Sequence, residues 1–525
     1  MFLRFFVVPI LLEFFLIRTS YTYTMSFSRI QSAQLTGLGA TGVTIETDIS
    51  RGLYLFQIVG LPDKAVEESR ERVISALRNS LDKNPKAENH KVIVSLSPAE
   101  LKKEGAYFDV AIALGYLVAT AALTFDSSNK IFIGELALNG EVRPIRGLLS
   151  IAQWAKASGI TEIFIPEANA VEASMVEGIT FFLVPTLSAL VSHLRGATTL
   201  SVASFVSRNE LAQHGTHDIA DVRGQATAKR ALTIAAAGGH NIVLYGPPGT
   251  GKTMLAKAFH SIMPQLSSEE FLEVATIYSS IGLIDDVLGG AAPLRSPHHS
   301  ASHVAIIGGG STIRPGDITL AHRGILYLDE FPEFDRRVIE ALREPLEDGH
   351  ITVARAKGSV RYPARFILLA AMNPCPCGYR GSTVKRCNCT GAELARYTKK
   401  LSGPIMDRID LWIPVAHIEY EALHERTNVS ESAPLRTLVS HTREQQQTRA
   451  GKLNSVLSSS ETQALSKLSS DAKNQLQEYA QKLRLSPRAY MRTIKVARTI
   501  ADIEQSDTIE TVHILEALQY RPKLE

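Results

Sequence analysis

Apolar and polar positions along the first part of the chain follow two different periods. Up to about residue 196, short β-rich runs are interspersed with amphipathic helical stretches, which is the pattern of an α+β domain. Asn139-Gly140 is a turn signal within this region. The predicted strands are residues 92–96, 131–138 and 163–165, and the predicted helices are residues 108–122 and 151–158.

The pattern changes twice in the rest of the chain. Residues 197–221 are rich in Ser, Thr and other polar residues, which predicts a linker. In residues 222–415 apolar strands alternate with helical stretches, a pattern typical of a parallel α/β sheet. Residues 416–525 are polar and helical with few β-branched runs, which predicts a helical lid.

The first 24 residues are apolar and aromatic but are interrupted by Pro9 and Glu13. The run is shorter than the ~20 apolar residues that a membrane-spanning helix needs. A signal peptide is the alternative, because Arg4 precedes the run, but no small-residue cleavage site follows it. We interpret residues 1–24 as an apolar extension upstream of the true start at Met25, so that the first domain covers residues 25–196.

The composition is that of an ordinary globular protein. Of the 525 residues, 45% are hydrophobic and 21% are charged, and Lys plus Arg number 56 against 53 for Asp plus Glu. These values exclude a disordered chain, a multi-span membrane protein and a histone-like polycation, but they allow local basic patches. All four cysteines lie between Cys375 and Cys389, too few and too local for a disulfide skeleton. This usage indicates a reducing, cytoplasmic compartment.

A phosphate-binding motif follows the predicted strand 241–245 and precedes the predicted helix 254–260. Its glycines let the backbone wrap around a phosphate and point N–H groups at it. We expect Lys252 to reach the β- and γ-phosphates of a nucleotide and the Thr253 hydroxyl to bind Mg²⁺. The motif consists of Gly246, Pro247, Pro248, Gly249, Thr250, Gly251, Lys252 and Thr253.

Polar residues at the ends of two further apolar strands complete a predicted ATP site. Asp329 and Glu330 follow the run 324–328, and Asn373 follows the run 366–372. We expect Asp329 to bind Mg²⁺ and Glu330 to polarise the attacking water. Asn373 is expected to orient that water, although a turn residue before a proline is the alternative.

Together these motifs resemble an AAA+ ATPase of the magnesium-chelatase-like branch, and specifically the competence-related ComM/YifB family. The resemblance covers residues 25–525 and implies ATP and Mg²⁺ as cofactors and assembly into a hexameric ring. The implied fold is an α/β P-loop AAA+ module, a parallel sheet with helices on both faces, followed by a helical lid. Gly403-Pro-Ile-Met-Asp407-Arg408-Ile-Asp410 belongs to the AAA+ motifs, and the family-specific stretches are Ser296-Pro-His298-His299, Gly308-Gly-Gly310 and Asn373-Pro-Cys375-Pro-Cys377-Gly-Tyr379.

The same resemblance assigns roles to two arginines. Arg408 occupies the position of an arginine finger, which neutralises transition-state charge on the γ-phosphate of a neighbouring subunit. Arg488 begins a predicted lid helix and resembles the sensor-2 arginine of such nucleotide sites. A surface salt bridge is the alternative for each residue.

Residues 349–363 predict a hairpin with a basic tip, because two short strands flank a Lys357-Gly358 turn and no acid occurs from residue 351 to 363. In the AAA+ branch that the resemblance indicates, such a hairpin enters the ring pore and grips nucleic-acid phosphates. We therefore expect single-stranded or branched DNA as the partner, contacted without sequence preference, with a solvated hairpin as the alternative. The expected contacts are Arg355, Lys357 and Arg361, with Arg295, His298, His299 and Arg314 as further candidates.

Two groups of residues raise the question of a second metal site. His299 and His303 would share a helix face, but no acid or cysteine stands beside them, so we expect structural or DNA-contacting roles. The cysteines form two Cys-x-Cys pairs separated by nine residues, which could hold Zn²⁺ tetrahedrally and brace a basic loop. Four reduced thiols are the alternative, or disulfides if the chain were exported. The four residues are Cys375, Cys377, Cys387 and Cys389.

Residues 97–114 and 134–147 resemble the proteolytic domain of Lon-type proteases. Where those enzymes carry a nucleophilic serine in Gly-Pro-Ser-Ala-Gly, this chain has Gly105-Ala-Tyr107-Phe-Asp109, and the position of the partner lysine falls near Ile151. Acyl-enzyme chemistry needs both nucleophile and base. We therefore expect an α+β Lon-protease-like domain without a catalytic dyad, kept for assembly or DNA binding, and we reject a protease.

The leading interpretation is an ATP-driven ring motor acting on DNA, a helicase or branch-migration factor in recombination or natural transformation, with no membrane partner. A magnesium-chelatase-type motor subunit is the first alternative, against which the Lon-like domain and the cysteine loop argue. An ATP-dependent protein remodeller is the second. Its pore loops would be aromatic and hydrophobic, whereas the loop here is basic and suits a polyanion.

Overall fold

The structure is a computed structural model that describes residues 26–205, 218–310, 313–355, 358–381, 385–401, 403–416 and 430–522. The predicted extension 1–24, Met25 and residues 206–217 of the predicted linker lie outside these ranges. Of Arg355 and Gly358 only the backbone is described. None of the described helices combines the length and the apolar character needed to cross a membrane.

The elements of the first 205 residues alternate as the sequence predicts. The strands are β1 Ser26–Thr36, β2 Gly39–Arg51, β3 Leu55–Val59, β4 His90–Ser97, β5 Lys130–Phe132, β6 Glu135–Leu136, β7 Val142–Arg143, β8 Glu162–Pro166 and β9 Thr180–Val184. The helices are α1 Lys64–Leu81, α2 Asp109–Ala119, α3 Leu148–Ala157, α4 Ala170–Ala173 and α5 Leu187–Leu194.

The elements from residue 218 onward include the predicted strands around the phosphate-binding motif and the predicted C-terminal helices. The strands are β10 Ile242–Tyr245, β11 Leu294–Arg295, β12 Gly308–Gly309, β13 Arg314–Pro315, β14 Ile325–Leu328, β15 His350–Arg355, β16 Gly358–Pro363, β17 Ile367–Met372 and β18 Leu411–Pro414. The helices are α6 Ala226–Gly238, α7 Lys252–Ser261, α8 Ser268–Ile281, α9 His303–Ile307, α10 Asp317–Leu320, α11 Arg336–Ala341, α12 Arg343–Asp348, α13 Gly391–Lys400, α14 Gly403–Met406, α15 Ser432–Ala450, α16 Ser459–Leu465, α17 Ser470–Lys482, α18 Pro487–Ile503 and α19 Thr511–Gln519.

The chain divides into two compact units whose boundaries interleave along the sequence. The first unit comprises the residues up to Ser32, Val43–Arg143 and Val184–Leu200. The second comprises Ala33–Gly42, Pro144–Leu183 and the residues from Ser201 onward. The strands that surround the phosphate-binding motif and the C-terminal helices all belong to the second unit.

The first unit is built on a sheet with the strand order β1-β2-β4-β3. Its strand β4 is antiparallel to β2 and parallel to β3, and its alternate residues Val92, Val94 and Leu96 are buried, as the period of two requires. The Asn139-Gly140 turn joins β6 to β7 in an antiparallel hairpin.

The prediction of one continuous strand over residues 131–138 is wrong, because the strand is interrupted at Gly134. Its amide donates to the Tyr107 carbonyl at 3.1 Å, and its carbonyl accepts from Val110 at 3.3 Å. These bonds to the start of α2 take the backbone groups that a continuous strand would use for sheet pairing, so β5 and β6 are separate strands.

The second unit contains a five-stranded sheet with the order β11-β14-β17-β10-β18, in which every described pairing is parallel. Successive residues of each strand enter different apolar clusters. In β10, Ile242 and Leu244 pack into one cluster and Val243 into the other. The sheet is therefore buried on both faces, which explains why its strands are continuously apolar and confirms the predicted α/β sheet.

The C-terminal helices α15 and α18 pack on α6 and complete the larger apolar cluster. Polar contacts reinforce this packing where α6 ends. The Arg443 guanidinium donates to the Ala236 carbonyl at 2.8 Å, and Gln446 donates to the Ala237 carbonyl at 3.3 Å. These carbonyls lack partners within their own helix, so the C-terminal helices satisfy the end of α6.

Candidate active site

The predicted ATP-site residues of three different segments meet at one edge of the parallel sheet. Gly246 follows β10, Asp329 follows β14 and Asn373 follows β17, and these three strands are adjacent and parallel. Their carboxyl ends therefore lie side by side. In open α/β sheets this edge is where ligands bind.

The phosphate-binding loop joins β10 to α7 by a tight path that glycine makes possible. An ideal Cβ on Gly246 would lie 2.1 Å from the Val415 carbonyl oxygen, so no larger residue fits there. Gly249 and Gly251 have φ angles of 78° and 84°, in the left-handed region that favours glycine. The helix α7 begins directly after Gly251, and its unpaired N–H groups and positive dipole end therefore face the loop.

The Lys252 ammonium group donates hydrogen bonds to uncharged carbonyl and amide oxygens of the loop and of Asn373. Its Nζ atom lies 2.8 Å from the carbonyl oxygens of both Gly246 and Pro247, and 3.3 Å from Asn373 Oδ1. Burial lowers the pKa of Lys252, while the charges of Asp329 and Glu330 oppose that shift. A half-buried ammonium held by neutral dipoles can transfer to a phosphate anion, which compensates its charge better.

Thr253 and Asp329 form a ready pair of hard oxygen ligands. The Thr253 hydroxyl donates to Asp329 Oδ2 at 3.1 Å, and Asp329 Oδ1 accepts from the Glu330 amide at 2.9 Å. Hydroxyl and carboxylate oxygens are the ligands that Mg²⁺ prefers, and Mg²⁺ takes few of them from protein when phosphates supply the rest. The donor set therefore fits a magnesium ion bound together with a nucleotide.

Glu330 is held in an unusual backbone conformation and is in contact with His299. Its φ angle is 51°, in the left-handed region, and its Oε2 atom lies 3.2 Å from His299 Nδ1. The His298 ring lies against that of His299, with centroids 4.1 Å apart. The expectation that His299 and His303 share a helix face is wrong, because α9 begins only at His303 after its N-cap Ser302.

Asn373 is fixed on both its backbone and its side chain. The buried Tyr397 hydroxyl donates to the Asn373 carbonyl at 2.9 Å, and the Asn373 amide oxygen faces Lys252. The amide therefore points into the site where the phosphates of a nucleotide would lie. Tyr397 belongs to α13, which follows the cysteine segment.

The four cysteines meet in one cluster. Cys375, Cys377 and Cys387 have Sγ–Sγ distances of 3.4, 3.7 and 3.5 Å, and all four Sγ atoms lie within 4.8 Å of one another. All are free thiols. The backbone amides of Tyr379 and Asn388 hydrogen-bond to Cys377 and lower the pKa of its thiol to about 6. Within the described ranges, this is the one group of His, Cys, Asp or Glu side chains placed to share a metal ion.

Arg408 and Arg488 meet at a shared acid, Glu347 of α12. Arg408 donates to Glu347 Oε2 and, at 2.6 Å, to the Pro404 carbonyl. Arg488 Nη2 lies 3.4 Å from Glu347 Oε1. Burial, and then the charges of neighbouring arginines, lower the pKa of Arg408, and its buried Nε atom has no partner in the described structure. The cluster therefore holds more positive charge than its acid neutralises.

This arginine cluster lies at the opposite edge of the sheet from the phosphate-binding loop. The Asn241 side chain donates to the Arg408 carbonyl at 3.0 Å, directly before β10 begins. The four residues of β10 then lead to Gly246, a separation of ~13 Å at ~3.3 Å per residue. The structure thus brings Arg408 and Arg488 together, and it does not bring either to Lys252 of the same chain.

The predicted hairpin is formed by β15 and β16, which are antiparallel from His350–Pro363 to Arg355–Gly358. Ile351, Val353 and Tyr362 are buried on one face, whereas Thr352 and Arg361 are exposed. Arg361 Nη2 donates to His350 Nδ1 at 2.8 Å. Lys357 and the Arg355 side chain lie outside the described residues.

Sequence reasoning missed three partners of the site residues. Glu347, Tyr397 and the contact of His299 with Glu330 carry no local motif. Glu347 is separated from Arg408 by 61 positions and from Arg488 by 141. The sequence indicated only the basic residues as candidates, because their acid lies in a short helix with no motif of its own.

Family models describe three parts of this chain. Residues 218–423 match a model described as magnesium chelatase, subunit ChlI. Residues 45–169 match a model of subunit ChlI of Mg-chelatase, and residues 429–521 match its C-terminal part. The matches include all the site residues described above.

Similar proteins cover almost the whole chain. The competence protein ComM of Haemophilus influenzae is 41% identical over 506 residues, which are 95% of this chain and 98% of that protein. The protein YifB of Escherichia coli is 41% identical over 501 residues, 95% of this chain and 97% of that protein. The magnesium-chelatase 38 kDa subunit of Rhodobacter capsulatus is 27% identical over 177 residues, 29% of this chain and 48% of that protein.

Proposed function

The chain belongs to the ComM and YifB family of magnesium-chelatase-like proteins, and from that premise we propose that it is an ATP-hydrolysing ring motor acting on DNA. We propose further that it works as a helicase or branch-migration factor in recombination or natural transformation. The observation that carries the proposal is the convergence of Lys252, Thr253, Asp329 and Asn373 at the carboxyl ends of β10, β14 and β17.

Each of these residues has a part in ATP hydrolysis. Lys252 would exchange its carbonyl partners for the β- and γ-phosphates, and Thr253 and Asp329 would hold Mg²⁺. Glu330 accepts a proton from the attacking water, which Asn373 orients. Bound ATP and Mg²⁺ supply the phosphoryl group and the charge neutralisation that its transfer requires.

The position of the arginine cluster supports action between subunits. The length of β10, ~13 Å, separates Arg408 and its neighbour Arg488 from the phosphate-binding loop of their own chain. A second copy can place its triphosphate against them, where it replaces Glu347 as the anion. We infer that hydrolysis is completed by a neighbouring copy in a hexameric ring, with Arg408 as the arginine finger and Arg488 as the sensor-2 arginine.

The basic hairpin supports DNA as the substrate of the motor. One face of β15 and β16 is anchored in the core, and the basic residues Arg355 and Lys357 stand at the turn between the two strands in the sequence. Arg361 is exposed on the outer face. Phosphate contacts of this kind are independent of base sequence, as a translocating motor requires.

We propose that residues 25–196 are a Lon-protease-like domain that serves assembly or DNA binding. Asp109, at the end of the stretch that aligns with the Lon nucleophile motif, is buried in a bidentate ion pair with Arg72 at 2.6 and 3.1 Å. Its Oδ2 atom also accepts from the Leu136 amide at 3.1 Å. These bonds give the carboxylate a structural function, and the aligned stretch from Gly105 to Asp109 offers no serine as nucleophile.

We propose that the cysteine cluster holds a structural Zn²⁺. Four thiolates at ~2.3 Å from a tetrahedral zinc lie ~3.8 Å apart, close to the observed distances of 3.4–3.7 Å. A disulfide would require ~2.05 Å. Thiols kept available for zinc suit a reducing cytoplasm.

The decisive experiment measures ATP hydrolysis by the chain from Met25 onward, with no DNA and with single-stranded, duplex or forked DNA. We expect DNA to stimulate hydrolysis, the K252A variant to be inactive and K357A to lose most of the stimulation. Robust hydrolysis that no DNA changes would overturn the DNA motor. That result would favour the chelatase-type subunit or the protein remodeller.

A further inference from the structure

The cysteine segment forms one wall of the nucleotide site although it has no regular structure of its own. The described residues between β17 and α13 form neither helix nor strand. An ideal Cβ on Gly378 would lie 2.9 Å from Pro248 Cδ and 3.9 Å from Asn373 Cγ. The backbone of Gly378 therefore packs directly against the phosphate-binding loop and beside Asn373.

The cysteine cluster lies between two attachments to Asn373. Cys375 follows Asn373 by two residues, and α13 begins two residues after Cys389. From α13, Tyr397 donates back to the Asn373 carbonyl at 2.9 Å. The segment therefore begins next to Asn373 and is attached to Asn373 again through Tyr397. The cysteine cluster connects the two ends of the loop between these attachments.

The hydrogen bonds that the described residues make within this loop are local or end on sulfur. The Gly378 amide donates to the Cys375 carbonyl at 2.9 Å, and the Arg380 amide donates to Cys375 Sγ at 3.3 Å. Both bonds are local, and the links across the loop, from the Asn388 amide to Cys377 and from the Cys377 amide to Cys389, end on thiols, which are weak acceptors. A metal bonded to all four sulfurs would link Cys375 and Cys377 to Cys387 and Cys389 and so fix the loop as a unit.

We propose that Zn²⁺ on the four cysteines sets the affinity of the ATP site by holding Gly378 against Pro248 and Asn373 beside Lys252. This inference rests on the ATP and zinc sites proposed above. The metal takes no part in the chemistry. It acts as a brace for the wall of the site, as outer-shell groups position catalytic ligands elsewhere.

The test uses the full 525-residue chain and two readouts that do not depend on hydrolysis. Elemental mass spectrometry counts zinc per chain, and a fluorescent ATP analogue with Mg²⁺ in excess reports nucleotide affinity. Three samples are compared in each assay: protein as purified, protein stripped by a zinc-selective chelator, and stripped protein returned to Zn²⁺. The variant C387S removes one ligand, and N388S is its matched control because the exposed Asn388 lies in the same segment.

We expect about one zinc per chain in the wild type and in N388S, and a loss of zinc in C387S. Stripping should weaken binding of the analogue about 10-fold, and Zn²⁺ but not additional Mg²⁺ should restore it. Because stripping is reversible, the result stands even if C387S does not fold. Purified protein without zinc would overturn the inference, and so would stripped protein that binds the analogue unchanged. Failure of DNA to stimulate hydrolysis would contradict the proposed motor and leave this inference standing.

Discussion

His299 Nδ1 lies 3.2 Å from Glu330 Oε2. The carboxylate that is proposed to accept the proton of the attacking water is therefore already in contact with an imidazole. His299 belongs to the segment between β11 and α9, in the region where the sequence predicts DNA-contacting residues. A movement of that segment would change the partner of Glu330 directly. The contact thus offers a short physical connection between the proposed DNA-binding region and the proposed catalytic carboxylate.

Replacing His299 by alanine is expected to raise ATP hydrolysis without DNA about three-fold, and to reduce the further stimulation by DNA. The reason is that Glu330 loses a partner that competes with water for its carboxylate oxygen. Steady-state hydrolysis with and without single-stranded DNA measures both quantities. The control is H298A, because His298 Nδ1 bonds to Ser300 at 2.7 Å instead of to Glu330. A drop in basal activity in H299A alone would show that the contact assists catalysis.

The E330Q variant is expected to bind ATP with Mg²⁺ normally and to hydrolyse it at least ~100-fold more slowly, because an amide cannot accept the proton that a general base removes. Equilibrium binding of a fluorescent ATP analogue and phosphate release measure the two steps. E333Q serves as the control, since Glu333 is three residues away and makes only an exposed pair with Lys400 at 2.7 Å. Equal hydrolysis in E330Q and wild type would remove Glu330 from the proposed mechanism.

Mixing two inactive variants tests whether Arg408 acts on a neighbouring copy. R408A and K252A should each lose at least ~1,000-fold in hydrolysis. Their mixture should recover activity, because the phosphate-binding loop of an R408A chain can face the arginine of a K252A chain. A mixture of K252A with E330Q should stay inactive, since both defects lie at the same edge of the sheet. No recovery in the first mixture would place Arg408 outside the neighbouring site.

The hairpin variants R361A and K357A should weaken binding of single-stranded DNA of every sequence alike. Each loss of a phosphate contact should also reduce the slope of log K against log salt by about 0.7. Fluorescence anisotropy at several salt concentrations measures both effects. The control is K473A, which removes an exposed lysine from α17. An unchanged slope in K357A would exclude the hairpin tip from the DNA-binding surface.

The ionised Glu273 carboxylate is expected to stabilise the second unit at neutral pH, and this stabilisation should be lost in acid. A hydrogen bond from His322 at 3.0 Å and the Arg323 guanidinium at 2.7 Å lower the pKa of Glu273 to about 2. His322 Nδ1 accepts from the Arg365 amide at 3.0 Å, which fixes the proton on Nε2. Because the folded pKa lies below the ordinary value of 4.5, this stabilisation is complete above pH 5 and is lost as the pH falls towards 2.

In E273Q the free energy of unfolding should therefore fall by about 0.5–1 kcal/mol at pH 7, a modest value because the side chain is half exposed. The difference from wild type should shrink progressively below pH 4.5. Urea unfolding at pH 7, 4 and 3 measures this difference. The control variant is E444Q, because Glu444 is exposed. A difference that stays constant with pH would contradict the assignment.

The local motifs of the site could be predicted from the sequence because each is contiguous. The glycines from Gly246 to Gly251, the strand before them and the helix after them specify one backbone path, and the sheet topology then brings Asp329 and Asn373 to the same edge. The parallel sheet and its burial on both faces could be predicted from the continuously apolar strands, whereas the strand order could not.

Other features depend on packing between distant segments and could not be predicted. Glu347 meets Arg408 and Arg488 only because the folded chain brings α12 to the residues before β18 and to the start of α18. The break at Gly134 arises because its backbone bonds to the start of α2, and the local pattern carries no sign of this. The same holds for His299, whose position before α9 was mistaken for a helical one.

The separation of the arginine cluster from the phosphate-binding loop also limits how copies of this chain can associate. If each site needs the loop of one copy and the arginines of the next, the contact is heterologous and cannot have two-fold symmetry. A head-to-tail row always ends in a loop without arginines, and only closure of the row completes every site. Hydrolysis per chain would then rise with protein concentration until the rows close.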